Sequence, residues 1–170
     1  ILPVFLLFFI HMSVRTFNPI IPLFFEELRI GTGQIAAISG ALISVSAFGE
    51  ALSAWISGTL SNRIGVRKLI FVPLGIGIVV LIAIVTVQTA GGFFVMRVAL
   101  ALLSGGTMTL AFTAASRVIP GDQRGAGFGI LSSTSMFGGA AGPLIAGILA
   151  GISIRTVFIF NIFIYATMMV

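Results

Sequence analysis

His11, Arg15 and Asn18 stand at i, i+4 and i+7 inside an otherwise apolar stretch, a spacing that puts all three on one face of a helix. The cationic pair of His11 and Arg15 on this face would suit an anion. The stripe cannot face hydrocarbon, where an arginine costs roughly 3 kcal/mol or more. The stripe must therefore look into protein or water, and on the simplest reading Arg15 and Asn18 pair within a bundle and hold helices together. Arg97 lies a few residues inside another apolar stretch, from which its long side chain can snorkel to headgroups. Glu50 is the only acid well inside an apolar segment. A carboxyl in a dry setting is the kind of group that proton exchange requires. The simpler alternative is a neutral Glu50 hydrogen-bonded to a neighbouring helix.

These groups need elements to hold them, and composition decides which. Of 170 residues, 58% are hydrophobic and only 8% charged, against about 25% charged in soluble domains. The mean hydropathy is +1.23. Such a chain has too little polar surface to face water, so the lipid bilayer is its solvent. Six apolar segments approach the ~20 residues a spanning helix needs: about 1–25, 34–60, 69–87, 92–118, 125–151 and 156–170. They are too long and too uniformly apolar for barrel strands. The expected fold is an all-α membrane protein, one bundle of six transmembrane helices with antiparallel sequential neighbours. The chain opens at Ile1 and closes at Val170 in apolar sequence, so we expect a piece of a longer polypeptide.

Several classes are excluded. The net charge of +5 is carried by cations too scattered to follow a phosphate backbone, so no nucleic-acid partner is expected. With no cysteine and one histidine, disulfides, thiolate metal sites and multi-histidine metal sites are ruled out. No carboxylate pair, nucleophilic triad or phosphate-cradling loop appears, so an enzyme is not expected. The GAGFGI run follows no strand and does not suggest a nucleotide.

The cations instead report topology. Arg63, Arg67, Lys68, Arg117 and Arg124 fall in the links after the second and fourth segments, and only Arg29 and Arg155 on the opposite side. By the positive-inside rule those two links, and both ends of the chain, face the cytoplasm. Glycine, 21 residues in all, is concentrated in the fourth and fifth segments. Gly138 and Gly142, and again Gly147 and Gly151, are spaced for close helix approach, with Pro143 between the pairs predicting a kink. The 16 phenylalanines and the methionines can build an adaptable apolar cavity, although most would face lipid or core.

Three motifs carry a family resemblance. GTLSNRIGVRK, from Gly58 to Lys68, resembles the signature loop of the major facilitator superfamily, Gly-x-Leu-(Ala/Ser)-Asp-Arg-x-Gly-Arg-(Arg/Lys): Gly58, Leu60, Ser61, Arg63, Gly65 and Arg67 match, while Asn62 replaces the aspartate and Val66 an arginine. PGDQRGAGFG, from Pro120 to Gly129 and including Asp122 and Arg124, is similar to the family's second cytoplasmic loop. GGAAGPLIAG is similar to the Gly-x-x-x-Gly-Pro-x-x-x-Gly helix of its drug–proton antiporters, through Gly138, Gly142, Pro143 and Gly147. PIIPLF and ISGALISVSAFGEALSA also resemble a seventh and eighth helix of a multidrug exporter.

The resemblance implies one six-helix half of a twelve-helix secondary transporter. The relaxed signature loop points to the C-terminal half, with the N-terminal half as the alternative. It further implies proton-coupled efflux of small hydrophobic compounds by alternating access, with the other half as partner, no cofactor beyond the coupling proton, and a bacterial inner membrane location. Uptake or export of a sugar, organic anion or lipid by the same fold is the runner-up, and a non-transporting sensor or scaffold is a third reading. In this scheme His11, Arg15, Asn18 and Arg97 line the path and Glu50 couples the proton. Gly58, Asn62, Arg63, Gly65, Arg67, Lys68, Asp122 and Arg124 form a gate. There Gly58 and Gly65 would permit a sharp turn, Arg63 would pair with a carboxylate such as Asp122 or cap a helix C-terminus, and the uncharged Asn62 would weaken the latch.

Overall fold

A computed structural model describes residues 2–61 and 63–169, so Asn62 lies outside the described residues. The chain forms α1 (Leu2–Glu27), α2 (Thr32–Leu60), α3 (Val66–Thr86), α4 (Ala90–Ser116), a 3-10 turn (Gly121–Gln123), α5 (Arg124–Ala150) and α6 (Ile154–Met168). Among the described residues, five helices are long and apolar enough to cross a membrane; α6, with 15 residues, is shorter.

Local chemistry sets the ends. Thr89 and Ser153 cap α4 and α6, their hydroxyls accepting from the N–H of Gly92 and Arg155 at 3.2 and 3.3 Å. α1 runs through Glu26 and Glu27, two residues past the expected apolar segment, and the chain turns at Arg29. That residue takes the left-handed conformation, φ 58°. Its N–H donates to the Glu26 carbonyl at 2.9 Å and that of Ile30 to Phe25 at 3.3 Å, the two-bond helix stop that usually holds glycine. A non-glycine residue costs about 1 kcal/mol there. Arg29→Gly is therefore expected to stabilise the fold by roughly 0.5–1 kcal/mol, read as a raised unfolding midpoint in detergent. A lowered midpoint would mean that the arginine side chain contributes more than its backbone costs.

The loop between α2 and α3 is shorter than its motif. Gly58 lies inside α2, where a Cβ would sit 3.9 Å from Thr109 of α4. Gly65 has φ −52° and ψ 135°, open to any residue, so neither glycine serves a sharp turn. The Gly65 carbonyl accepts from the N–H of Lys68 and Leu69, which draws Arg67 and Lys68 into the first turn of α3.

Packing is organised as two crossed pairs. α1 packs most extensively on α5, and α4 on α2; α3 bridges α4 and α6, and α1 touches α4. Exchanging α1 with α4 and α2 with α5 maps one pair onto the other, the pattern of two three-helix repeats. Glycine makes both pairs possible. A Cβ on Gly138 would run into the Phe8 backbone and one on Gly142 into those of Met12 and Thr16; in the second pair, Gly105 abuts the Glu50 backbone. Close approach of this kind replaces the hydrophobic drive that lipid does not supply. Gly147 has nothing within 4 Å, so it takes no part in the packing that its spacing suggested. Helix α5 continues without interruption through Pro143.

At one end of the bundle Phe17, Phe24, Phe25, Phe93 and Phe158 interlock α1, α4 and α6, with ring centroids 4.3 Å apart for Phe24–Phe93 and 6.1 Å for Phe17–Phe158. All five are buried. They are core rather than cavity wall.

Candidate functional site

The stripe on α1 is a ridge between two open clefts. On one side, α1, α2 and α4 enclose a cleft lined by His11, Arg15, Asn18, Ser46, Glu50, Arg97 and Ser104, with Ile10, Val14, Ile43 and Met108 as apolar wall. On the other side, α1, α4 and α5 form a second, lined by the same three residues with Phe112, Ser132, Ser135, Met136, Gly139 and Pro143. Arg15 lays its stem on Gly139, where a Cβ would lie 3.6 Å from Cγ. Its charged end is exposed, and neither Arg15 nor Asn18 makes a side-chain hydrogen bond or ion pair among the described residues. That weighs against the reading in which they only hold helices together. His11 donates from Nδ1 to the Leu7 carbonyl at 3.3 Å, which leaves Nε2 free to accept.

Glu50 and Arg97 meet. Arg97 Nη2 lies 3.8 Å from Glu50 Oε1, the only ion pair among the described residues. The Arg97 side chain is 4% exposed, that of Glu50 29%. Arg97 thus does not snorkel: it points into the bundle, with its guanidinium 4.9 Å above the Phe17 ring. The Glu50 backbone is level with Gly105, which is about 12 Å along α4 from Arg97, so the two side chains extend toward each other. Glu50 is not an isolated carboxyl; its charge has a partner. The partner is held loosely, since 3.8 Å exceeds hydrogen-bond distance, and Arg97 Nε, like Ser46 Oγ, is buried without a hydrogen-bond partner.

Behind the pair lies polar chemistry that the sequence reading did not single out. Ser13 Oγ donates to Asn161 Oδ1 at 2.5 Å, and Asn161 Nδ2 donates to the Val157 carbonyl at 2.9 Å, tying α1 to α6. Both residues are buried, as is Tyr165 nearby. Asn161, the one amide in the sixth apolar segment, was the available signal.

The gating residues are spread out. Arg67 turns onto the Phe71 ring at 5.7 Å. Asp122 sits in the 3-10 turn just before Arg124 and α5, where a carboxylate suits the positive end of the helix. Among the described residues Arg63 and Asp122 form no ion pair; each charge is exposed and solvated near its own helix end. No group of three or more metal-ligating side chains occurs among the described residues.

A bundle of apolar helices with a buried arginine beside a polar cleft is an integral membrane protein. Residues 4–170 match the model of the Major Facilitator Superfamily, and the chain belongs to that family. It is similar to the multi-drug resistance efflux pump PmrA of Streptococcus pneumoniae, 32% identical over 155 residues, covering 86% of this chain and 37% of PmrA. It is also similar to the multidrug resistance protein MdtG of Yersinia enterocolitica, 33% identical over 135 residues, covering 78% of this chain and 32% of MdtG. MdtG of Salmonella arizonae is 31% identical over 150 residues, covering 88% and 37%. The chain thus spans about a third of the length of the curated relatives it matches.

Proposed function

We propose that the chain is one six-helix half, the C-terminal one, of a proton-coupled exporter of hydrophobic drug-like compounds. It would work by alternating access, rocking against the other half around a site near the bilayer midplane. The observation that carries this reading is the cleft itself: α1, α2 and α4 bring His11, Arg15, Glu50 and Arg97 to one open face, beside an apolar wall. The efflux in the name of PmrA supports the direction, the bacterial sources of PmrA and MdtG a bacterial inner membrane, and the relaxed loop at Gly58–Lys68 the C-terminal half. The basic links support an orientation with both ends of the chain in the cytoplasm.

Within this scheme Glu50 exchanges its proton with the cleft. When charged it holds Arg97; when protonated it releases Arg97, and the two helices that carry the pair are freed to shift. The test is proton-driven drug efflux in vesicles containing the full-length protein. Glu50→Gln is expected to flatten the dependence of efflux on pH. An unchanged pH profile removes Glu50 from the coupling step.

A further inference from the structure

We infer that the cleft between α1, α2 and α4 is a site for an amphipathic acid: a carboxylate or sulfonate group docks on Arg97 and Ser46 in place of Glu50, and the apolar body lies along Ile10, Val14, Ile43 and Met108. This names a substrate class for the exporter proposed above and rests on that reading for its role in transport, though not for binding itself.

Charge is the first argument. The wall carries two arginines and a histidine against one carboxylate, and that carboxylate already stands beside Arg97. A lipophilic cation entering here meets surplus positive charge, whereas an anion meets complementary charge. Unmade hydrogen bonds are the second. Arg97 has five N–H donors in a fixed fork. Its side chain is 4% exposed, and its one anionic neighbour stays at 3.8 Å. Its Nε has no hydrogen-bond partner, and neither has Ser46 Oγ, one turn before Glu50 on the same face of α2. Buried donors left in this state favour an acceptor that reaches them. The third argument is access. Glu50, at 29% exposed, can swing into the cleft and yield its place. The Phe17 ring beneath the guanidinium holds Arg97 where it is while that happens.

The test is binding to the full-length protein in phosphatidylcholine nanodiscs. The probes are dansyl-phenylalanine, a carboxylate on a fluorescent apolar body, and its methyl ester, which lacks only the charge. The acid is expected to bind about tenfold tighter than the ester. Glu50→Gln removes the competing carboxylate yet keeps an amide oxygen for Arg97, and is expected to tighten the acid about threefold with the ester unmoved. Ser46→Ala is expected to weaken the acid alone, by about threefold. The Glu50→Gln/Arg97→Gln double variant removes both members of the pair while leaving Arg15 in the wall, and should lose most of the preference for the acid. Equal binding of acid and ester to the unmodified protein, or weaker acid binding after Glu50→Gln, overturns the proposal. In sealed vesicles, movement of both probes under an imposed proton gradient separates the two readings. Discrimination without movement keeps the site and sinks the transport role; movement of the ester without discrimination does the reverse.

Discussion

Gly138→Leu is expected to prevent stable assembly of the bundle. At this position α5 meets α1 backbone to backbone. A Cβ alone would overlap the Phe8 carbonyl, and one helical turn on, at Gly142, a Cβ would meet the Met12 carbonyl and lie 3.0 Å from the Thr16 nitrogen. No flexible side chain stands there to yield, so the whole helix must move away. Overpacking of this kind costs about 3 kcal/mol or more. In lipid there is little hydrophobic drive to pull the separated helices back. Because α1 carries His11, Arg15 and Asn18, a displaced α1 also pulls the cleft apart. The measurement is the unfolding midpoint and membrane yield of Gly138→Leu against Gly147→Leu. Gly147 opens onto free space, and its substitution is expected to be near neutral. Equal behaviour of the two variants would show that the α1–α5 seam does not depend on glycine.

The same comparison shows what sequence can and cannot reveal in such a protein. Lipid demands long apolar helices with internally satisfied backbones, so helix number and rough extent are visible from hydropathy alone. The stripe of His11, Arg15 and Asn18 was visible too, because one helix's period relates its own residues. Gly138–Gly142 and Gly147–Gly151 have identical spacing, yet only the first pair is packed against α1. Which face of α5 turns inward depends on its neighbour, and no local pattern encodes that. The ion pair was hidden for the same reason: Glu50 and Arg97 were each noticed, one as a lone carboxyl and one as a candidate snorkel. What joins them is the approach of α2 to α4 at Gly105, a contact between distant segments. The phenylalanines could not be sorted by composition. Phe17, Phe24, Phe25, Phe93 and Phe158 form a buried cluster, while Phe48 and Phe137 are 73% and 71% exposed. Lipid-facing and core-facing positions are equally apolar here, so the contrast that marks a core in soluble proteins is missing.

The crossed-pair arrangement gives the ion pair a specific place. α1 and α4 are the two central helices that the repeat symmetry exchanges, and Arg97 on α4 reaches Phe17 on α1 and Glu50 on α2 at once. One side chain therefore links three helices. Glu50→Leu would strand Arg97, 96% of whose side chain is away from solvent, beside an apolar group; it is expected to destabilise the fold by about 3–5 kcal/mol. Arg97→Met should cost less, because Glu50 can turn its carboxylate to the open cleft, and because a thioether packs well on the Phe17 ring. The double variant Glu50→Leu/Arg97→Met leaves no charge to bury and is expected to return to within about 1 kcal/mol of the original stability. Unfolding midpoints of the four proteins measure the cycle. Efflux measured on the same four separates structure from function: the stable double variant should transport no better than either single one, since neither an acidic group nor a proton then has its partner. A double variant that regained transport would reduce the pair to a structural tie. Single variants as stable as the original would instead mean that the contact holds nothing together, and that the cleft keeps its shape through the glycine seams alone.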